Sequence, residues 1–565
     1  MQNIRLQRTI SSALWSAYAD ALGFPTELAS SATVERRIGR RRSERSIEWK
    51  RMIGGRSGTM ATLPAGSYSD DTQLRLATSR AIRSDGFFDV ESFAKVELPT
   101  WLSYALGAGR GSKDAAGSLV DRNVTWFSNF FGNYVNGGGN GAAMRIQPHV
   151  WSAKNINEIS SFLPDVVRNA ICTHGHMRGI LGAIIHALSL SHVYSTGEIP
   201  GPVHWKNFSD VIARFPDIIH SDYELSTFWL PTWEAKSGMS LTQAINIASR
   251  EWRENVDLAI KIISEEIIDT EATYTNVVDF IGGFSDAERG SGLKCALFAN
   301  VAAFLYGQQG TKKAIDTVVN LLGSDTDTIG TMTGAMMGAR YYDSLPDDLI
   351  QDRDYIISEA ERLYKISQGI SVETHVYPDL LYWQPAKLIV DMLSCKHGVL
   401  NLAGLSEIKK IHKAFSAKQK GISWVWVDLK IGQSILCKAR DNVLSATNSS
   451  YYRNEKNKYD KVSSSKEMEK FIPLDFGNDH SDNHIEALVL GNEVSNEKSS
   501  SDAAIAHETL EKITDDVIKS GFDPDLIGRK LLEFSTKEDG LELAIGFTAI
   551  IIKAKSARLK KNITS

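Results

Sequence analysis

The sequence predicts an all-α domain of many helices over roughly the first 365 residues, followed by a smaller C-terminal α+β extension. Three observations carry this. Apolar residues recur at helical spacing through the first part, and few segments there alternate with period two. After about Gln368 the character changes toward β-branched and aromatic runs. The composition, 42% hydrophobic and 23% charged over 565 residues, is that of a globular protein with a sizeable core.

Taken in order, Leu14, Tyr18 and Leu22 share one helical face, and Leu74, Ala77 and Ala81 mark another helix. Residues 180–190 are apolar on nearly all sides of His186, which predicts a central buried helix; 297–305 reads likewise. Val256, Ile260, Ile263 and Ile267 make a more amphipathic one. The aromatic run 228–233 reads as core or as a lid. Gly330, Gly334 and Gly338 lie four apart, a smooth stripe suited to close helix packing. Residues 424–437 read as a hairpin or two short strands broken at Gly432. Residues 445–501 are rich in Ser, Asn and Lys, as a mobile linker is. Helical patterning returns after 502, interrupted at 521–524 and 539–540, and 543–552 reads as a buried helix. The expected divisions are 1–365 (catalytic domain), 370–442 (small α+β segment), 443–503 (linker) and 504–565 (terminal helices).

The formal net charge of -5 gives no global indication of a nucleic-acid partner; a local basic patch stays open. Lys553, Lys555, Arg558, Lys560 and Lys561 read as a solvated helix end. Cys172, Cys295, Cys395 and Cys437 are far apart and form no C-x-x-C pair, which argues against a disulfide framework and a structural zinc site. Residues 1–12 lack the apolar core of a signal peptide, and 543–552 is too short to span a bilayer. A soluble cytoplasmic protein without a membrane partner is expected.

Two acidic clusters each precede a helix. One is Ser69-Asp70-Asp71-Thr72, the other Ser324-Asp325-Thr326-Asp327-Thr328. The plainer reading of each alone is an N-cap with acidic first-turn residues. Two together offer carboxylates and hydroxyls, hard oxygen donors suited to Mg²⁺ or Mn²⁺. Packed close, such clusters repel unless cations neutralise them. The glycine-rich loop 136–141 permits close backbone approach to a phosphate, and the loop 107–111 carries Arg110. His174 and His176 form an H-x-H pair without a zinc spacing; His174 reads as a substrate contact and His176 as structural. No G-x-S-x-G pattern is present.

At these residues the chain resembles the ADP-ribosylglycohydrolase family, the group containing the dinitrogenase-reductase-activating glycohydrolase. The matching pieces run in order over about 10–345. They are Asp20-Ala21-Leu22-Gly23 with Pro25-Thr26-Glu27, then Ser69 to Gln73, then Gly139 to Arg145 with Pro148. Thr173-His174 follows, and Gly323 to Thr328 with Gly334, Gly338 and Ala339 closes the series. The resemblance implies a compact all-α domain with two Mg²⁺ ions (Mn²⁺ as a substitute) held by Ser69, Asp70, Asp71, Asp325, Asp327 and Thr328. It implies Glu27 as ligand or general base, alongside Asp70, Asp71 and Asp325 as catalytic carboxylates. Gly139, Asn140, Gly141 and His174 would line an ADP-ribose pocket. Ser69 and Ser324 depart from the family pattern conservatively, and Asn136-Gly137-Gly138 replaces a more varied substrate-facing loop. The implied activity is hydrolysis at the anomeric carbon of ADP-ribose on a modified macromolecule or small molecule, and an ADP-ribosylated nucleic acid as substrate stays open. The alternative is a catalytically silent module that binds ADP-ribose or a nucleotide. The extension after 370 is expected to bind a partner.

Overall fold

The computed structural model describes residues 2–107, 109–265, 269–396, 398–445, 512–536 and 540–563. Its contacts divide into two units, Met1–Ser465 and Lys466–Ser565.

In the first unit the long N-terminal helix Gln2–Gly23 buries Leu14, Tyr18 and Leu22, as their spacing requires. It lies along the helix Thr326–Arg340, the most extensive helix pair among the described residues. The glycine stripe is the reason the two approach so closely. A Cβ on Gly334 would stand 2.5 Å from the Trp15 carbonyl oxygen, and one on Gly338 2.7 Å from that of Ser11. The central helix Met177–Thr196 is buried nearly all round, with His186 inside it. It crosses the helix Gly292–Leu305 where a Cβ on Gly182 would lie 2.4 Å from the Gly292 backbone. The amphipathic helix Leu241–Ser264 buries Val256; Ile267 falls outside the described residues. Within the aromatic run, Trp229 and Trp233 are core, donating to the Tyr134 hydroxyl (2.8 Å) and the Gly175 carbonyl (2.6 Å).

Strands also occur where the helical reading left no place for them. β1 (Trp49–Ile53) and β2 (Thr59–Leu63) form an antiparallel hairpin inside the helical region. Each has five residues, too few for a period-two signal to stand out, and their outward positions carry Lys50, Met52 and Met60.

The extension contributes five antiparallel strands in sequence order: β3 (Leu393–Lys396), β4 (Val399–Leu402), β5 (Ser406–Ser416), β6 (Ile422–Leu429) and β7 (Ser434–Arg440). The expected hairpin is β6–β7, turning at Gly432 with φ 105°. This sheet is part of the first unit. The buried Arg80 guanidinium holds both oxygens of Glu97 at 2.7 and 2.8 Å and reaches Gln433 Oε1, after the β6 strand, at 2.8 Å. Trp426 on β6 donates to the Thr62 carbonyl on β2 at 3.0 Å. A satellite hydrophobic cluster joins Phe24, Val34, Trp49 and Leu63 to Trp424 and Trp426.

The expected linker lies outside the described residues from 446 onward. In the second unit, helices Pro524–Phe534 and Gly540–Ile563 share a small core around Val517, Phe534 and Phe547. The chain breaks at 521–524 as expected, with Gly521 and Phe522 at positive φ. The 543–552 stretch is helical yet not buried throughout. Phe547 and Ile551 face the small core, while Ile545 and Ile552 are exposed, because two short partner helices cover only one face. Among the described residues no helix is long and apolar enough to cross a membrane.

Candidate active site

Every residue of the helix Asp70–Arg80 is buried, so its acidic start lies inside the protein. Ser69 caps it: the Ser69 hydroxyl accepts the Asp71 N–H at 3.2 Å. Asp20, in the last turn of the N-terminal helix, holds the same loop. Its two oxygens accept the Ser69 and Thr72 N–H groups, each at 2.9 Å. The sequence reading counted Asp20 as part of a motif and not as a site residue. Its signal was a carboxylate set among Ala17, Tyr18 and Leu22 on an apolar helix.

The second cluster opens the helix Thr326–Arg340. Asp325 stands at the N-cap position and makes no capping bond; its carboxylate instead accepts Asn140 Nδ2 at 2.9 Å. Asp327 Oδ1 accepts the Thr328 N–H at 2.9 Å. The Thr328 hydroxyl then reaches Asp71 Oδ1 at 3.3 Å, joining clusters 257 residues apart. The approach needs Gly23, where a Cβ would stand 2.5 Å from Asp327 Cα. Glu27 follows on the same turn, 3.6 Å from the Arg51 guanidinium. Arg37 donates to the carbonyls of Pro25 (2.8 Å) and Glu27 (3.3 Å) and so shapes that loop.

These side chains share one wall of a cleft of about 410 Å³. Glu27, Asp70, Asp71, Asp325, Asp327 and Thr328 line it; Ser69 stands behind Asp71 and does not. Burial, then the charges of Asp20, Asp70 and Asp325, push the Asp71 carboxyl well above its usual range. Burial, then Glu27, Asp71 and Asp325, do the same to Asp327. Burial raises Glu27 too, with Arg51 pulling the other way. Among the described residues the buried Asp71 Oδ2 has no hydrogen-bond partner, and neither has the buried Thr331 hydroxyl. Among the described residues no three His, Cys, Asp or Glu side chains gather tightly enough to hold a metal ion by themselves. The donors present nevertheless fit a hard cation: a carboxylate oxygen without a partner among the described residues, mutually raised carboxyls and an interleaved threonine hydroxyl.

Gly139, Asn140, Gly141 and His174 line the same cleft. The glycine loop is pinned where Gly292 N–H donates to the Gly138 carbonyl at 3.0 Å. Arg145 donates to the Thr173 hydroxyl at 2.8 Å, and that hydroxyl lies 2.7 Å from His174 Nδ1. Burial, then Arg145, pushes His174 down to about 3, so the ring is neutral. The hydroxyl proton is thus free to face Nδ1, with the ring N–H at Nε2. His176 only caps the central helix, accepting the Arg178 N–H at 3.1 Å. Gly109, Arg110 and Gly111 line the cleft, as do Asp286 and Arg289, paired at 2.9 Å. Nothing in the sequence around 286–289 marked that pair, which reaches the cleft only through the tertiary fold.

The model of the family described as ADP-ribosylglycohydrolase matches residues 1–372. The uncharacterized protein YegU of Escherichia coli (strain K12) is 24% identical over 346 residues, spanning 60% of this chain and 88% of that protein. Among solved structures, a chain of an ADP-ribosylglycohydrolase-related protein complex aligns with 65% of this chain and 99% of its own. The identity is 19% and the TM-score 0.39.

Proposed function

The chain belongs to the ADP-ribosylglycohydrolase family, and from that premise we propose a Mg²⁺-dependent hydrolase that releases ADP-ribose by cleaving the N- or O-glycosidic bond at its anomeric carbon. One observation carries the reading: two acidic helix starts and Glu27 meet on one cleft wall, joined by the Thr328–Asp71 hydrogen bond. Cleavage at that carbon develops oxocarbenium character, so the site must position the ribose and a water rather than supply a strong nucleophile. Bound Mg²⁺ ions would orient ribose hydroxyls and lower the pKa of the attacking water. Asp70, Asp71, Asp325 and Asp327 would hold them, with the Thr328 hydroxyl, and Ser69 behind them. Glu27, raised by burial and steadied by Arg51, would take the proton from that water. Asn140 holds Asp325 in place, and the glycine backbone of 139–141 leaves room for the ADP moiety beside the neutral His174.

The test is release of ADP-ribose from arginine- and serine-linked ADP-ribosyl peptides with and without Mg²⁺. Asp325→Ala and Asp327→Ala are expected to abolish turnover and to leave the circular-dichroism spectrum unchanged. Wild-type turnover in either variant would sink the reading.

A further inference from the structure

The chain's overall charge of -5 conceals a concentration of the opposite sign. Between residues 36 and 56 there are nine Arg or Lys side chains and two carboxylates. Between 409 and 420 there are five lysines and no carboxylate. These segments are some 360 residues apart in sequence and meet in the fold at their ends; the 40–45 loop packs elsewhere, with Ser43 N–H donating to Asn320 Oδ1 at 2.7 Å and Ser46 N–H to Asp348 Oδ2 at 2.6 Å. The turn after β1 meets the end of β5, where Lys418 N–H donates to the Gly58 carbonyl at 3.2 Å and Gln419 N–H to that of Ser57 at 3.4 Å. Beside them lies the satellite cluster that includes Phe24, Trp49, Ile53, Trp424 and Trp426, with Phe415 packed against it.

Much of this charge is free to act outward. Arg41 pairs with Glu35, Arg42 with Glu44 and Glu271. Arg40, Arg45, Lys50 and Arg56 are exposed and have no ion-pair partner among the described residues. The same holds for Lys409, Lys410, Lys418 and Lys420. Lysines on β5 have a plainer use, since β4 pairs only with Ser406 and Glu407 and leaves the rest of that edge open to misassociation. That use does not extend to Arg56, in the single helical turn Gly55–Ser57, or to Lys418 and Lys420, which lie beyond the end of β5.

The face also borders the cleft. Arg51 and Arg37 hold the loop that carries Glu27 and the exposed rim residue Leu28, and Arg37 stacks on Trp49 of β1. A carrier whose ADP-ribosyl group entered the cleft would pass along it. Arginine forks match phosphate oxygens in pairs, and a row of fixed cations suits a chain of evenly spaced monoanions.

We propose that this face binds the phosphodiester backbone of a nucleic acid, so that an ADP-ribosyl group carried on nucleic acid is delivered to the cleft. The delivery rests on the hydrolase reading; the binding does not.

The experiment uses the full chain and a fluorescein-labelled DNA oligonucleotide, single-stranded and duplex, followed by anisotropy across a NaCl series. Binding is expected, with log affinity falling linearly in log salt by roughly 0.7–0.9 per phosphate contact. Two charge reversals, Lys50→Glu with Arg56→Glu, and separately Lys418→Glu with Lys420→Glu, are each expected to weaken binding at least about tenfold and to flatten the slope. Both should hydrolyse a small ADP-ribosyl compound as the wild type does. Absence of binding, wild-type affinity in both variants, or equal binding of a poly-glutamate chain (the mark of an acidic protein partner) overturns the proposal. Loss of hydrolysis on every substrate with salt-sensitive DNA binding intact overturns the hydrolase reading alone.

Discussion

Asp20 touches nothing that reacts, yet the acidic loop depends on it. One carboxylate accepts two backbone N–H groups, from Ser69 and Thr72, at the start of the helix that carries Asp70 and Asp71. Burial pushes its carboxyl up and those bonds pull it back. An amide in its place could accept only one of them and would turn its own NH₂ toward the other. Asp20→Asn is therefore expected to cost about 1.5–3 kcal/mol, the range for a hydrogen bond to a charged group. Because the loosened loop bears the cluster itself, it should also shrink the rise in melting temperature expected from Mg²⁺ binding at the proposed metal site. Thermal unfolding with and without Mg²⁺ measures both, and two unchanged values would show that these bonds do not hold the loop. At this scale the site was legible wherever the chemistry is local. Asp70–Asp71 and Asp325–Asp327 announce themselves as carboxylate pairs at helix starts. The capping reading of those pairs holds for Ser69, whereas Asp325 sits at a cap position and turns away to Asn140. Asp286 and Arg289 could not be found this way, because their loop is ordinary until the fold brings it to the cleft.

Elements were legible in proportion to their length and burial. The helices Gln2–Gly23, Met177–Thr196 and Thr326–Arg340 carry long, regular patterns, and each forms where its pattern falls. β1 and β2 are too short to show a period, and β3 and β4, of four residues each, are shorter still. The glycine stripe permits a sharper statement, because position alone decides the sign of one substitution. Alanine is the better helix former by roughly 0.5–1 kcal/mol where nothing else intervenes. In the helix Arg110–Ser118 a Cβ on Gly117 would meet nothing within 4 Å, so Gly117→Ala should stabilise or be neutral. At Gly334 the same methyl would stand 2.5 Å from the Trp15 carbonyl oxygen. The two helices must then separate, and Gly334→Ala should cost about 1–3 kcal/mol, as overpacking does. Denaturant midpoints of the two variants, measured side by side, decide it; a shift of the same sign at both positions would mean that the helix contact is not close-packed.

At the largest scale, burial across many helices of the first unit makes its stability sensitive to acid. His149, His174 and His186 belong to different segments and are all enclosed in the first unit, where burial pushes each down to about 3. For His149 and His174 the Arg145 charge adds to burial; for His186 burial is the only cause. In the unfolded chain each returns to about 6.5. Below that value the unfolded state binds protons that the folded state refuses. The stability linked to these rings is therefore complete above about pH 6.5 and is lost as pH falls from there toward 3. Each ring contributes a slope of up to about 1.4 kcal/mol per pH unit. His186 is the cleanest probe, since it lies at the middle of the central helix, far in sequence from the acidic clusters, and among the described residues bonds only Gln147. Gln cannot titrate, so His186→Gln should lower stability at pH 7 through its altered packing and yet flatten the acid limb by close to one proton. Urea unfolding at a series of pH values between 7 and 4 reads the slope directly, and a limb as steep in the variant as in the wild type would mean that His186 already takes up its proton while folded.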